Sequence, residues 1–289
     1  MLVRTRSAAE LLSERGLSVD ESRRRRAEYS TDASNYRIVP EAVVTPRSAD
    51  ELVTIAEIAR ETGTPVTMRG GGTSIAGNAI GPGIIVDTSR HLDRIRSIDP
   101  ETATAVVEPG VVLGRLQRAA APYGLRFGPD PSTVDRCTLG GMIGNNACGP
   151  RALRFGRTAD NVHALDIVDG RGEVREIGSG PLPDGLDRLV GGSLATLRTE
   201  FGGYARQTSG YSLEHLLPER GRSLAKALVG TEGTCAIIRS ATVRLVPVPV
   251  DPILVVLGFA DMTDAADAVA HMLPHRPIAI EGMDKRLVD

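Results

Sequence analysis

The sequence predicts an α+β protein assembled from two packed α/β units and the start of a third, and three observations carry this. A chain of 289 residues is long for one hydrophobic core, so two or more packed units are expected. Helical and strand patterns alternate between residues 48 and 122 around one glycine-rich loop. After Pro247 the pattern restarts as a strand–helix–strand run that stops at Asp289. The chain thus divides into a helical lead-in (1–36), a main body (37–247) and the incomplete beginning of a further domain (248–289).

The lead-in carries the basic run Arg23 to Arg26. It either touches a phosphate group or forms a solvated helix face beside Glu21 and Glu28, and charge blocks usually face solvent. Residues 48–62, "SADELVTIAEIARET", read as an amphipathic helix: Ser48 caps it, Glu51 completes the capping pattern, and Leu52, Ile55, Ala56 and Ala59 recur at helical spacing. Gly63 ends it. The segments "PVTM", "GIIVD" and "TAVVEPG" read as strands, and 111–122 as another helix. Residues 128–161 form a long aperiodic stretch crowded with Gly, Asn and Pro. Such a stretch is either disordered or functional, and its tight-turn residues favour function. "VHALDIVDGRGEVREIG" reads as a β-hairpin turning at "DGRG". A helix follows near 186–200, and "LVGTEGTCAIIRSATVRLVPVPV" reads as loop, strand, turn and strand. Beyond it, "PILVVLGFADMTDAADAVAHMLPHRPIAIEGMD" begins a new α/β unit. About forty residues of that kind cannot cover both faces of a sheet alone, so the chain reads as truncated.

Composition narrows the function. Hydrophobic content of 41% and charged content of 24% describe an ordinary globular chain. A net charge of −2 argues against nucleic acid or an anionic membrane as partner. Aromatic residues make up 3% and Trp is absent, which disfavours base-stacking platforms. Cys137, Cys148 and Cys235 form neither a disulfide framework nor a CxxC pair, pointing to a reducing, cytoplasmic setting. No apolar run approaches the ~20 residues of a transmembrane helix, and the N-terminus lacks the pattern of a signal peptide.

The loop "PVTMRGGGTSIAGNAIGPG" (65–83) places six glycines in nineteen residues with no lysine. Gly72 and Gly77 have Walker spacing, but Asn78 and Ala79 stand where Lys and Ser/Thr are required. Gly70 and Gly72 start a GxGxxG fingerprint, but Ile75 occupies its third glycine, and a strand rather than a helix follows. There remains a nest of consecutive amides with hydroxyls beside it, from Gly70, Gly71, Gly72, Thr73 and Ser74, with Arg69 as a positive charge at the entrance. A glycine-rich turn without any ligand is the alternative for this loop taken alone.

Further motifs lie at matching distances: "VVEPGV", "GPDPS", "TLGGMIGNNACGPRALRFGRTADNV", "SGYSL" and "GTEGTCAII". With "PVTMRGGGTSIAG" and the lead-in "YSTDASNYRIVPEAVVTPRSADEL", they resemble the flavoprotein superfamily of vanillyl-alcohol oxidase and p-cresol methylhydroxylase. The branch most similar is that of glycolate oxidase, D-lactate dehydrogenase and D-2-hydroxyglutarate dehydrogenase. The resemblance runs from about residue 29 to about residue 247. It implies that residues 37–247 are an FAD-binding domain of the PCMH (p-cresol methylhydroxylase) type, two α/β subdomains clamping FAD, with a cap domain begun at 248–289. Arg69, Gly70, Gly71, Gly72, Thr73, Ser74, Gly77 and Asn78 would wrap the pyrophosphate. Pro129, Asp130, Pro131 and Ser132 would lie along the flavin. Thr138, Gly140, Gly141, Gly144, Asn145 and Asn146 would run against the ribityl chain and phosphates. Gly149, Gly156, Asp160 and Val162 would reach the adenine half, and Glu232, Gly233 and Ile237 would close the site.

The cofactor's own chemistry fits these residue types. A diphosphate wants donors, a sugar-alcohol chain wants Asn, Thr and Asp, and a glycine-lined wall lets backbone approach both. Close packing of a helix on a neighbour is the other account of Gly140, Gly141 and Gly144. Members that attach FAD covalently often carry His in the glycine loop; Thr73 stands here, so non-covalent FAD is expected. The substrate-recognising arginines and metal-binding histidines of the branch fall beyond residue 289, so no catalytic residue is assigned.

Among single residues, His271 and His275 are separated by Pro274 and suggest no metal site, and His163 reads as a surface or satisfied histidine. Tyr211 stands either near the flavin or buried as a structural residue. Cys148 reads as a packing residue, and Glu232 as a ligand-positioning carboxylate.

The function expected is an FAD-dependent oxidoreductase acting on CH–OH groups, taking a hydride from a 2-hydroxy acid of the D-lactate, glycolate or D-2-hydroxyglutarate type. Its partners would be that small acid and an external electron acceptor. The "GGMIGNNACG" wording suggests an iron–sulfur domain or subunit, through which the protein would sit peripherally at a membrane. The alternatives are a non-catalytic FAD-binding fragment and an enolpyruvyl-precursor reductase of the same architecture, against which "GPDPS" and "GTEGT" tell.

Overall fold

Two sheets share the main body, and the cleft described below lies between them. The computed structural model describes residues 6–201, 203 and 210–287. The first five residues of the lead-in, Ser209 of the "SGYSL" motif and the last two positions lie outside the described residues.

The first sheet has four strands in the order β1-β2-β4-β3: Val19–Asp20 (β1), Ala42–Val44 (β2), Val66–Arg69 (β3) and Ile84–Asp87 (β4). β2 and β3 each run parallel to β4, while β1 pairs antiparallel with β2. Helix Ala8–Glu14 (α1) precedes β1, and Arg23–Glu28 (α2) lies between β1 and β2. Ala49–Thr62 (α3) supplies the crossover between β2 and β3, the connection that parallel strands require. Its boundaries are those expected. The Ser48 hydroxyl accepts from the Glu51 amide, and Gly63 closes the helix with φ of 66°. The helix buries Leu52, Ile55 and Ile58 against β2, β4 and α1, each contributing about 1.5–3 kcal/mol. In α2, Arg24 and Arg25 pair with Glu28, giving the exposed helix face foreseen for that run.

The second sheet is antiparallel, with strand order β5-β6-β10-β8-β9 and β7 against the far end of β10. Its strands are Ile95–Asp99 (β5), Thr104–Val107 (β6), Leu125–Phe127 (β7), Val162–Asp169 (β8), Val174–Ile177 (β9) and Ala236–Pro247 (β10). β8 and β9 form the expected hairpin. Leu113–Ala120 (α4), Leu139–Asn145 (α5), Ala152–Phe155 (α6) and Leu224–Leu228 (α9) accompany this sheet. Leu113, Leu116, Leu139, Met142, Ile143 and Phe127 lie at the centre of its core. Val168 and Ile237 belong to this sheet yet pack into the core of the first, so the two sheets are joined through apolar contact.

Several expectations are corrected. The strand–turn–strand reading of 236–247 gives way to one strand, because an irregularity between Ile238 and Ser240 absorbs the break without reversing the chain. There Arg239 pairs with Asp166 at 3.1 Å and with Asp50 at 3.0 Å, tying β10 to the start of α3. The stretch 128–161, expected as irregular, contains α5 and α6. The helix near 186–200 is two helices, Asp184–Gly192 (α7) and Leu194–Glu200 (α8), meeting at Ser193. β5 and β7, which sequence reading missed, are three to five residues long, too short to display a period of two. Beyond Pro247 only the helix of the expected strand–helix–strand unit forms, Met262–Met272 (α10). The apolar run 252–259 pairs with no strand, and Ile253 and Leu254 are 89% and 87% exposed. An extended segment becomes a strand only beside a partner edge.

Candidate functional site

β3 ends where Arg69 meets the glycine loop, and that loop forms one wall of a cleft of about 730 Å³ between the sheets. Residues 68–76, Asn78 and Ala79 line this wall. Among the described residues, the amides of Gly71, Gly72, Thr73, Ser74 and Ile75 donate to no protein acceptor. Five successive donors on a concave wall are what an anionic ligand requires. The end of the loop is self-ordered: the Ser74 hydroxyl accepts from the backbone amides of Ala76 and Asn78 and donates to the Asn78 side-chain Oδ1 at 2.6 Å. The Asn78 amide group in turn donates to the Glu232 carboxylate across the cleft rim.

The opposite wall is α5. Thr138 caps it by accepting from the Gly141 amide at 3.2 Å, and Asn146 ends it with φ of 49°. Its first amides are consumed within the protein. Leu139 donates to Val111 and Gly140 to Pro109, both at 2.8 Å. The helix N-terminus therefore has no free amides to offer, and the free ones belong to the glycine loop. The two walls touch where a Cβ on Gly70 would stand 2.0 Å from the Thr138 hydroxyl, and one on Gly71 would stand 2.3 Å from the Arg136 carbonyl. Close packing accounts for these two glycines and for Gly140, which is pressed on Pro109. Gly144 and Gly141 line the open cleft; a Cβ on Gly144 would meet only the Glu232 backbone at 4.0 Å, while one on Gly141 would stand 3.3 Å from the Thr138 hydroxyl.

Leu165, Ile167, Ala236 and Ile238 supply apolar lining from β8 and β10, and Ile167 and Ile238 are cross-strand partners (the spacing of Ile167 from Leu165 already marked one face of that strand). Glu232, with φ of 54°, is held against α5 by the hydrogen bond its backbone amide donates to the Gly144 carbonyl at 3.0 Å. Pro131, Ser132, Asn145, Gly149 and Gly233 complete the expected residues on the lining.

Eight expected residues fall outside that lining. Ile237 sits one position from Ile238, and strand alternation turns it into the first sheet's core. Gly77 abuts the Tyr36 ring, where a Cβ would stand 2.9 Å from the ring edge. Pro129 is buried behind the wall, and Asp130 bonds the Arg151 amide at 2.9 Å. Burial raises the Asp130 carboxyl above its ordinary value, the Glu281 charge adding to this against the Arg151 amide. The Asn146 side-chain Oδ1 accepts from the Ala159 amide at 3.0 Å. Gly156 and Asp160 face one another, and Val162 is fully buried. Burial alone would raise the Asp160 carboxyl, but hydrogen bonds from Arg157 and its charge outweigh this and hold it low.

The Arg69 guanidinium, on the cleft lining, donates to the Thr31 and Ala79 carbonyls. Tyr211 is 45% exposed, so it is not the buried structural residue offered as an alternative; its hydroxyl shares a hydrogen bond with Thr234 at 2.7 Å. Sequence reading missed Glu281 on the lining, since nothing local distinguishes it from a surface carboxylate. Cys148, partly buried, lies on the lining as well.

Residues 40–178 match the family model described as FAD binding domain. The chain is 33% identical to D-2-hydroxyglutarate dehydrogenase of Escherichia coli K12, over 91% of this chain and 28% of that protein. It is 32% identical to glycolate oxidase subunit GlcD of Bacillus subtilis 168, over 92% and 50%. It is 34% identical to D-lactate dehydrogenase of Archaeoglobus fulgidus, over 90% and 52%. The chain thus spans between about a quarter and a half of the length of these curated relatives. Among solved structures, an alkyldihydroxyacetonephosphate synthase superposes with a TM-score of 0.63 at 18% identity, covering 90% of this chain and 44% of that one. That likeness shows the fold. With the glycine loop, α5 and the loop before β10 assembled around one cleft, the chain carries an FAD-binding domain over residues 40–178 and is homologous to the D-2-hydroxyglutarate dehydrogenase, glycolate oxidase subunit and D-lactate dehydrogenase named above.

Proposed function

We propose that this chain holds FAD non-covalently in the cleft, as the cofactor-bearing portion of an oxidoreductase acting on a 2-hydroxy acid. The observation that carries the reading is the run of five unengaged amides at Gly71–Ile75, set opposite an apolar lining. A diphosphate carries charge that fixed amide dipoles stabilise without a lysine. Ser132, Thr138 and Asn145 offer polar groups for the sugar-alcohol chain, and Leu165, Ile167 and Ile238 offer surface for a flat ring. Thr73, in the place of an attaching His, leaves the cofactor dissociable.

When bound, FAD supplies the two-electron acceptor for converting a C2 alcohol to a 2-oxo acid. The protein's part is orientation: the Asn78–Glu232 contact closes the rim and fixes how far the loop stands from α5. The substrates proposed are D-lactate, glycolate or D-2-hydroxyglutarate, the acids in the names of the curated relatives. An external electron acceptor, an iron–sulfur domain or subunit, is the proposed partner. Among the described residues no helix is long and apolar enough to cross a membrane. We place the protein in the cytoplasm, reaching a membrane only through that partner.

The test is purification followed by anaerobic mixing with each acid. A yellow protein bleached by one of them supports the reading. A folded protein that takes up no FAD refutes cofactor binding, and a yellow protein that no acid bleaches refutes the activity for this chain.

A further inference from the structure

The lead-in wraps the glycine loop from outside through contacts that the cofactor reading does not use. The Arg69 guanidinium lies over the Tyr29 ring, 5.0 Å from its centroid. Its Nη1 donates to the Thr31 carbonyl at 2.9 Å and to the Ala79 carbonyl at 3.1 Å. The Tyr29 hydroxyl donates at 2.5 Å to Asp87, which is 4% exposed at the end of β4. The Asp32 carboxylate accepts from the Ala79 amide at 3.3 Å and from the Ser34 amide at 2.9 Å. Tyr36 then covers Gly77. Residues 29–36 thus touch the base, the middle and the end of the loop.

Arg69 is the one cationic side chain on the cleft lining among the described residues, against Glu232 and Glu281. A guanidinium left on a flexible stem would be attracted to either carboxylate or to water. Stacked on an aromatic face and held by two carbonyls, it has little rotamer freedom left to lose when an anion arrives.

We propose that residues 29–36 form a strap that fixes the Arg69 guanidinium as a preset counter-charge for the cofactor's diphosphate, with Tyr29 as the positioning residue. This rests on the FAD reading above. Tyr29 touches no ligand and acts only through Arg69. Electrostatic preorganisation of this kind makes binding salt-dependent, since the charge is partly exposed.

The test is titration of the apoprotein with FAD at low and high salt, followed by flavin fluorescence, for the wild type, Tyr29→Leu and Tyr29→Phe. Tyr29→Leu removes the ring and is expected to weaken FAD roughly tenfold and to flatten the salt dependence. Tyr29→Phe keeps the ring and loses only the hydroxyl's contacts with Asp87 and Arg90, so it restores affinity to within about twofold of wild type and keeps the salt slope. Should Tyr29→Leu fail to fold, Asp32→Ala, at the partly exposed middle of the strap, replaces it with the same expected direction. Equal affinity and equal salt slope in folded wild type and Tyr29→Leu, or in Asp32→Ala where it replaces it, overturn the strap. Equal losses in the Leu and Phe variants overturn the stacking role. Absence of FAD binding by wild type refutes the FAD reading itself.

Discussion

Gly70 has no room for a methyl group, because the Thr138 hydroxyl occupies the place a Cβ would take, 2.0 Å away. Gly70→Ala must separate the two cleft walls or distort the α5 cap. The expected cost is about 1–3 kcal/mol, read as a lower melting temperature, with weaker FAD binding. Thr138→Ala removes the cap alone and is expected to cost about 1 kcal/mol in the same melt. Glu232→Ala breaks the rim contact to Asn78, and flavin titration should show a loss of only a few fold, because the pair is exposed. At Thr73 the expectation is chemical: acid precipitation of the yellow protein leaves all of the flavin in the supernatant. Flavin carried down with the pellet would refute non-covalent binding. At this scale much of the cleft was legible, because Gly, Thr, Ser and Asn in loops announce close backbone approach. Less legible was which glycine packs against protein and which faces the open cleft. Gly70 and Gly144 look alike in sequence and differ only in what a neighbouring segment places against them.

α3 and the β8–β9 hairpin were readable to within a residue or two, since capping and turn chemistry are local. β10 was not. The Arg239–Ser240 pair interrupts the apolar alternation, and only Asp166 and Asp50, more than seventy residues away in sequence, explain why a charge sits inside the strand. Arg239→Ala leaves the half-buried Asp166 without its ion pair and unties α3 from the second sheet. A loss of about 1–3 kcal/mol in chemical denaturation is expected. A change within ±0.5 kcal/mol would show the tie to be ornamental. Ile237 teaches the same lesson from the other side, since a one-residue error in phase moves a side chain from the cleft to the opposite core.

For the molecule as a whole, pH enters through His215. Burial lowers its imidazole below the ordinary value, and the Arg157 charge adds to this against the pull of Glu214. The folded protein therefore holds fewer protons there than the unfolded chain. Stability from this group is complete above 6.5, its ordinary value, and is lost as pH falls from there through the lower folded value. Melting temperature should decline over that window, and His215→Gln should flatten the decline. An unchanged slope in the variant would assign the loss to other groups. That the chain holds more than one packed unit was legible from its length, and that these are two α/β subdomains followed from the family resemblance. The unpaired run 252–259 was misread as a strand because strand propensity says nothing about whether a partner edge exists.

β10 pairs with β6, β7 and β8 and also carries the loop that closes the cleft rim. A growing polypeptide therefore cannot complete its larger sheet until residue 247 has left the ribosome, although the glycine-rich loop emerges far earlier. Capture of the flavin must wait for that late arrival, and synthesis halted before it would yield a colourless, aggregation-prone intermediate with open sheet edges.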